Sequence, residues 1–286
     1  MKKIKNIAII AHVDHGKTTL VDKLLASANT FRANEEVQER VMDSNDIERE
    51  RGITILAKTT SIEYKAYTIN ILDTPGHADF GGEVERIMNM VDGVILVVDA
   101  YEGTMPQTRF VLKKALAAGV TPVVVVNKID KPTARPKEVV DEVLDLFIEL
   151  GADIEQLEFP VIYASAINGT SSTEIGLENQ KPTMEPILDA VINTVPDPRV
   201  SLEGGFQFQP ALIDYNDYVG RIGIGLVKRG KAKVGEMVSC IRLDGSKKQF
   251  RIAKLFGFKG LKKVEIEEAE AGEIIAISGL PDIEVG

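Results

Sequence analysis

The chain is poor in several residue types, and each scarcity excludes something. Among its 286 residues it has no tryptophan and a single cysteine, Cys240. One thiol cannot form an internal disulfide, which fits a reducing cytoplasm, and its apolar neighbours favour a small buried side chain. The longest apolar runs, such as residues 94–98 and 123–126, are far shorter than a membrane span.

The N-terminus begins with basic residues, as a secretory signal peptide does. However, the apolar run 7–11 is only five residues long, and no cleavage pattern follows it. We therefore expect a soluble, cytoplasmic protein that has no membrane partner.

The composition is that of a globular protein, but charge is divided unevenly along the chain. Hydrophobic residues make up 44% and charged residues 27%, which argues against bulk disorder. Residues 1–197 carry 20 Lys and Arg against 31 Asp and Glu, a net charge of −11, whereas residues 198–286 carry 14 against 12, a net charge of +2. Residues 221–263 alone hold 13 basic and 2 acidic residues. The overall charge of −9 therefore hides two different surfaces.

The first two-thirds of the chain alternates apolar runs with helical patterns. The runs predict buried strands at 4–11, 68–73, 94–99, 121–127 and 160–164. The patterns between them predict helices at 17–26, 83–90, 107–118, 136–150 and 184–194. This alternation predicts an α/β domain: a mostly parallel sheet with helices on both faces. Residues 61–65, close before 68–73, predict one antiparallel hairpin at the sheet edge.

Residues 195–198, Val-Pro-Asp-Pro, break any helix and predict a domain boundary, with 1–197 before it and 198–286 after it. The pattern then changes to short β-rich segments separated by turn signals. These segments are 206–214, 220–228, 237–242, 249–256 and 274–278. They predict a small antiparallel β-barrel.

Residues 11–18, Ala-His-Val-Asp-His-Gly-Lys-Thr, lie between the first predicted strand and the first predicted helix. Backbone N–H groups at such a helix N-terminus can surround nucleotide phosphates, so the segment predicts a P-loop. Lys17 is expected to reach the β and γ phosphates, and the Thr18 hydroxyl to bind Mg²⁺. An ordinary strand-to-helix turn is the alternative. The predicted nucleotide contacts here are His15, Gly16, Lys17, Thr18 and Thr19.

Residues 73–77, Asp-Thr-Pro-Gly-His, leave the end of another buried strand, at the edge of the sheet where α/β ligands bind. Asp73 is expected to hold Mg²⁺ through water, and Gly76 to let the backbone approach a γ-phosphate. His77 is expected to orient the attacking water. A lone histidine is usually a structural residue, yet all three histidines of this chain lie in the two phosphate motifs.

Residues 127–130, Asn-Lys-Ile-Asp, close a third strand. The Asp130 carboxylate can accept hydrogen bonds from guanine N1 and N2, a pair that adenine does not offer, and the Lys128 stem can lie along the base. Asn127 completes the motif, and Ser165 and Ala166, after the next strand, can add a backbone N–H for the guanine carbonyl. The set predicts guanine over adenine and argues against an ATPase.

A long polar stretch, 27–51, is followed by Gly-Ile-Thr at 52–54. Thr54 is a candidate second hydroxyl ligand of Mg²⁺, contributed when a γ-phosphate orders the loop. A solvated, charged connector is the alternative, although the length of the stretch favours a switch or lid.

The order of these motifs, together with residues 43–54 and 79–86, resembles the translational GTPases. The segments 42–46, 31–34 and 134–136 are most similar to the BipA/TypA family of ribosome-associated bacterial GTPases, and LepA and elongation factor G are the nearest rivals. The resemblance covers essentially the whole chain. It implies that the chain corresponds to the first two domains of a longer, ribosome-binding protein, ending within the barrel's last strands.

The resemblance also implies roles for particular residues. Val13 and Ile53 match an apolar pair that flanks the catalytic His77 and controls its access to water. Asp14 matches a loop carboxylate that binds a monovalent cation, K⁺, near the phosphates. Ala11 in place of glycine is normal in the larger translational factors.

These observations favour Mg²⁺-dependent GTP hydrolysis that switches ribosome affinity, in translation regulation, the stress response or ribosome assembly. The alternative is a nucleotide-gated module that binds ribosomal RNA with little catalysis. Guanine tetraphosphate is a further possible ligand, because the same pocket could hold its guanosine diphosphate part.

A basic cluster on the barrel is the predicted contact with ribosomal RNA phosphates. A solvated face is the alternative, because β-sheet edges often carry lysine against aggregation. The cluster consists of Arg221, Lys228, Arg229, Lys231, Lys233, Lys247, Lys248, Arg251 and Lys254.

Overall fold

A computed structural model of the chain describes residues 2–28, 58–74 and 81–286. The strands of its first part are β1 (Ile4–Ala11), β2 (Lys58–Tyr64), β3 (Tyr67–Asp73), β4 (Gly93–Asp99), β5 (Thr121–Asn127), β6 (Val161–Ser165) and β7 (Thr170–Ser172). The helices are α1 (Lys17–Ser27), α2 (Gly81–Met88), α3 (Pro106–Ala117), α4 (Pro136–Glu149), α5 (Ile154–Leu157) and α6 (Glu185–Thr194). Each predicted element of this part is present within a few residues of its expected bounds.

The first part forms one seven-stranded sheet in the order β2-β3-β1-β4-β5-β6-β7. Strands β3, β1, β4, β5 and β6 run parallel. All eight residues of β1 are buried, because helices cover both faces of the sheet. Ile7 and Ile9 pack in the cluster that contains α1 and α6, whereas Ala8 and Ile10 pack with α2, α3 and α4. This explains why the central strands are largely apolar instead of alternating, although β1 also buries Lys5 and Asn6.

Both edges of the sheet are antiparallel. The predicted hairpin is confirmed at one edge, where β2 pairs with β3 from Lys58↔Asp73 to Tyr64↔Tyr67. At the other edge β7 pairs antiparallel with β6. The sequence did not predict β7, because its three residues, Thr-Ser-Ser, carry no hydrophobic pattern.

The second part is antiparallel, as predicted. Its strands are β8 (Gln207–Asn216), β9 (Gly220–Arg229), β10 (Lys231–Lys233), β11 (Met237–Ile241), β12 (Lys247–Arg251), β13 (Lys254–Lys259), β14 (Lys262–Ile266), β15 (Glu268–Glu270) and β16 (Ile274–Ser278). Five of them form a sheet in the order β14-β13-β16-β9-β8, and β10 pairs with β15 and β11 with β12. The single predicted segment 249–256 is in fact parts of two strands, β12 and β13, with Ile252 buried between them.

The two parts pack directly against each other. Ile222 and Leu226 of β9 belong to the same buried cluster as α2 and α3. The Asn6 side chain donates to the Gly272 carbonyl at 3.0 Å, and the Arg86 guanidinium donates to the Ala211 carbonyl at 3.2 Å. Within the described ranges, no helix is long and apolar enough to cross a membrane.

Candidate functional site

The segment between β1 and α1 has the backbone of an anion-binding loop. Asp14 has φ +65°, and Gly16, at the N-terminus of α1, has φ +91°. These left-handed residues turn the chain sharply, so the first N–H groups of α1 face the loop. Thr18 is half-buried and Thr19 is exposed on the first turn. The loop can therefore surround a phosphate with backbone donors.

Lys17 lies beside the end of β3. Its ammonium is 2.7 Å from Oδ1 of Asp73 and donates to the Thr74 carbonyl at 2.6 Å. Asp73 is 1% exposed, and the Thr74 hydroxyl donates to the Ile9 carbonyl at 2.7 Å. The fold thus brings together the predicted phosphate lysine and the predicted Mg²⁺ carboxylate. A carboxylate and a threonine hydroxyl are hard oxygen donors of the kind Mg²⁺ prefers, so the residues fit the metal.

Asn127 joins the P-loop to the loop after β6. Its Nδ2 donates to the His15 carbonyl at 2.8 Å, and its Oδ1 accepts from the Ala166 N–H at 2.9 Å. Gly16 lies so close that an added Cβ would sit 2.4 Å from this Nδ2. Because the side chain is 1% exposed, both hydrogen bonds are shielded from water. Asn127 therefore fixes the P-loop relative to the loop after β6.

The predicted guanine residues carry polar atoms without a partner. Oδ1 of Asp130 and Oγ of Ser165 are both buried, and neither has a hydrogen-bond partner among the described residues. A buried acceptor left unpaired is costly, and the residues that bind ligands are where such atoms are expected. Oδ1 of Asp130 therefore keeps a hydrogen-bond acceptor that none of the described residues uses.

The Lys128 side chain extends from the base loop, defined here as residues 128–130 after β5, to the P-loop. It has φ +64°, a left-handed conformation that is costly for a side-chain-bearing residue. Its ammonium donates to the Asp14 carbonyl and lies 2.9 Å from Oδ2 of Asp99. Two contacts therefore hold the ammonium at the tip of the Lys128 side chain.

His15 is a buried P-loop residue whose ring contacts Asp99 and Glu102. Its Nδ1 accepts the Asp99 backbone N–H at 3.3 Å, so Nε2 carries the proton and donates to Oε2 of Glu102 at 3.1 Å. Burial lowers the pKa of His15 below its ordinary value, and the neighbouring His12 ring acts in the same direction. The two ring nitrogens of His15 therefore connect the P-loop to the backbone of Asp99 and to the Glu102 carboxylate.

Sequence reasoning missed Asp99 and Glu102. Both lie at the carboxyl edge of the sheet, next to the P-loop and the base loop. A signal was present: the apolar run of β4 ends in an aspartate, as those of β3 and β5 end in Asp73 and Asn127. Polar residues at the carboxyl ends of parallel strands lie at the ligand edge.

The structure describes two more of the predicted residues. Val13 is half-buried in the P-loop, and Asp14 is exposed. The remaining predicted residues, Ile53, Thr54, Gly76 and His77, lie outside the described residues, and their roles stay predictions.

The basic cluster of the barrel divides into two groups. Four members have carboxylate partners, namely Lys231 with Glu270, Lys233 with Glu268, Lys248 with Asp282 and Lys254 with Glu265. The other five have no ion pair within the described part of the chain: Arg221, Lys228, Arg229, Lys247 and Arg251. The charge available to a partner is therefore smaller than the sequence count of the cluster indicates.

Comparison with known proteins adds independent evidence. Residues 2–197 match the elongation factor Tu GTP binding domain, and residues 220–286 match elongation factor Tu domain 2. The chain is 69% identical over 283 residues to the large ribosomal subunit assembly factor BipA of Bacillus subtilis (strain 168), covering 99% of this chain and 46% of that protein. It is 56% identical over 285 residues to the factor of the same name from Escherichia coli (strain K12), covering 100% of this chain and 47% of that protein.

These matches confirm the resemblance to BipA, and the chain spans about half the length of the curated relatives it matches. The crystal structure of a bacterial selenocysteine-specific elongation factor, EF-Sec, superposes with a TM-score of 0.70 at 22% identity, over 99% of this chain and 43% of that one. That likeness confirms the predicted fold, an α/β domain followed by a β-barrel, and the family match identifies the first domain as the GTP-binding type.

Proposed function

Because the chain belongs to the family of elongation factor Tu GTP-binding domains, we propose that it binds GTP with Mg²⁺ and hydrolyses it to GDP and phosphate. The observation that carries the proposal is the convergence of three loops at one edge of the sheet. Lys17 meets Asp73, and Asn127 joins the P-loop to Ala166. Phosphate, metal and base contacts are then all within reach of one nucleotide.

Each loop has a distinct task in this proposal. The N–H groups of the P-loop and the Lys17 ammonium bind the phosphates, and Thr18 and Asp73 hold the metal. Magnesium, when bound, neutralises charge on the phosphate oxygens. Asp130 selects guanine through its buried acceptor. His77 orients the attacking water.

Two further ligands belong to the same proposal. The exposed Asp14 carboxylate is the candidate contact for K⁺ beside the phosphates. Guanine tetraphosphate carries the same guanosine diphosphate part as GDP, so the contacts of Lys17 and Asp130 apply to it as well. Competition of guanine tetraphosphate with labelled GDP tests whether it binds in the same pocket. Rates of GTP hydrolysis in K⁺ and in Na⁺ test the monovalent cation.

The experiment that tests hydrolysis compares phosphate release from GTP and ATP. We expect release from GTP alone, abolished in Lys17→Ala and unchanged in Lys113→Ala, whose lysine is exposed on α3 away from the site. ATP hydrolysis at the same rate would contradict the guanine assignment. Tight GTP binding without phosphate release, with and without ribosomes, would favour the alternative of an RNA-binding module that uses nucleotide as a structural ligand.

We further propose that the chain acts on the ribosome and contacts ribosomal RNA through the barrel. The relatives from Bacillus subtilis and Escherichia coli are named as large ribosomal subunit assembly factors. Support from this chain is the group of five cations without ion-pair partners, which includes the exposed Arg221, Lys247 and Arg251. Such cations can neutralise phosphates without first breaking an internal ion pair. This role implies a cytoplasmic protein.

Charge reversal within the two groups tests the RNA contact. Arg221, Lys247 and Arg251 are changed together to Glu in one variant, and the paired Lys231, Lys233 and Lys254 in a control variant. Each phosphate contact contributes about −0.7 to −0.9 to the slope of log K against log salt. We expect the first variant to lose co-sedimentation with ribosomes and to flatten the slope more than the control. Equal co-sedimentation and equal salt slopes for the two variants would contradict the RNA contact and favour a solvated face.

A further inference from the structure

Asp99 is a completely buried carboxylate between the phosphate loop and the base loop. It closes β4, has 0% of its surface exposed, and plays no part in the nucleotide contacts described above. A buried carboxylate is unfavourable unless charges and hydrogen bonds compensate it. Its partners therefore indicate why the fold keeps a charge at this position.

Both carboxylate oxygens of Asp99 are fully engaged. Oδ1 accepts the backbone N–H groups of Tyr101 at 2.8 Å and Glu102 at 3.3 Å. Oδ2 lies 2.9 Å from the Lys128 ammonium and 3.0 Å from that of Lys131. Burial alone would raise the pKa of Asp99, but the Tyr101 N–H and the two ammonium groups outweigh it and hold the pKa below its ordinary value. Asp99 is therefore an ionised anchor.

Asp99 is important because the Lys128 ammonium that it holds also contacts the P-loop. The same ammonium donates to the Asp14 carbonyl in the P-loop, and Lys128 Cε lies 3.8 Å from the position of a Cβ on Gly16. The stem thus runs along the edge where the base loop and the P-loop meet. An ammonium without the Asp99 charge would be drawn towards water, and the stem would leave this edge.

We propose that Asp99 is a positioning residue for nucleotide binding, which acts by holding Lys128 across the base and phosphate loops. The inference rests on the proposed guanine-nucleotide function. Its effect falls on the nucleoside diphosphate part, which GDP and GTP share. Loss of the Asp99 charge therefore weakens both nucleotides by the same factor.

The competing explanation is that Asp99 only stabilises the fold, and a double-mutant cycle separates the two. Dissociation constants of fluorescent GDP and of a non-hydrolysable GTP analogue are measured for wild type, Asp99→Asn, Lys128→Met and the double variant. We expect Asp99→Asn to raise both constants about tenfold, the scale of one lost charge-assisted hydrogen bond. In the Lys128→Met background the same change should alter them by less than about twofold, because the side chain through which it acts is gone.

Lys131 supplies the matched control. It contacts the same oxygen of Asp99, but its ammonium makes no contact with the P-loop within the described ranges. Asp99→Asn should keep its full effect on nucleotide affinity in the Lys131→Met background. If Asp99→Asn alone does not fold, the comparison is made in the Lys131→Met background. There the substitution leaves only one ammonium, that of Lys128, without its charge partner.

Three outcomes decide the matter. Wild-type protein that binds no GDP would overturn the proposed function. Wild-type binding with an unchanged affinity in Asp99→Asn would overturn the inference alone. The same holds if Asp99→Asn weakens binding equally in the wild-type and Lys128→Met backgrounds, because Asp99 then does not act through Lys128.

Discussion

Replacing Gly16 with alanine tests whether the P-loop is held in place by Asn127. Gly16 has φ +91°, and a Cβ there would lie 2.4 Å from Asn127 Nδ2, where ordinary contacts begin at 3.4 Å. The amide must therefore move by about 1 Å, the difference between these two distances. That movement disturbs its hydrogen bonds to the His15 carbonyl and the Ala166 N–H.

The expected cost has two parts. Left-handed backbone costs an alanine about 1–2 kcal/mol. Two hydrogen bonds, at about 0.5–1.5 kcal/mol each, add about 1–3 kcal/mol. Gly16→Ala should therefore lower the free energy of unfolding by about 2–5 kcal/mol. The second part should also reduce GDP affinity roughly tenfold to a hundredfold, at about 1.4 kcal/mol per factor of ten.

Gly119→Ala is the matched control. Gly119 has φ +70°, but nothing lies within 4 Å of its Cβ position, so only the backbone cost applies. Urea denaturation followed by circular dichroism suits a chain that has no tryptophan, and titration with fluorescent GDP gives the affinity. If Gly16→Ala is no less stable than Gly119→Ala and binds GDP as wild type does, the role assigned to Asn127 is wrong.

Three further predictions concern base choice, chemistry and pH. Asp130→Asn should weaken GTP several-fold or more and favour xanthosine triphosphate, whose C2 carbonyl accepts the new donor; unchanged GTP affinity would contradict the guanine assignment. His77→Ala should leave GTP binding nearly intact while ribosome-stimulated hydrolysis by a protein that contains this chain falls about a hundredfold or more; full activity would move the water-positioning role elsewhere. Asp92 lies between α2 and β4. Burial raises the pKa of its carboxyl to about 6, so the folded state binds this proton more tightly than the unfolded chain does, and the contribution of Asp92 to stability falls as pH rises from about 4 to about 6. Asp92→Asn should remove that fall, and denaturation at pH 4 and 7 should show a gain of about 1 kcal/mol at pH 7 only, after allowance for partial exposure.

The first part of the fold could be predicted from the sequence because its local patterns agree with its tertiary environment. Strands buried on both faces read as continuous apolar runs, and Pro106 and Pro136 begin α3 and α4 as expected. The missed strands have no such signal. Strands β10 and β15 are three residues each, and β14 is mostly charged and exposed. They form because a neighbouring strand offers backbone partners, which no local pattern encodes.

The chemistry of the candidate site was likewise written in short motifs. A helix N-terminus after a buried strand, followed by Lys17 and Thr18, suits phosphate and metal in any such fold, so spacing alone predicts the contacts. The same holds for Asp130, because guanine recognition depends on one carboxylate at a strand end.

Long-range contacts decided the rest. Asp99 lies 29 residues before Lys128 and 84 after His15, and only the parallel pairing of β1, β4 and β5 brings the three together. The charge that the barrel leaves unpaired also depends on tertiary contacts. In the sequence Lys231 and Lys254 stand among basic residues, but in the fold they pair with Glu270 and Glu265 on adjacent strands. Residue types and spacing state which groups are available; which of them neutralise one another depends on distances of a few ångströms that exist only after the chain has folded.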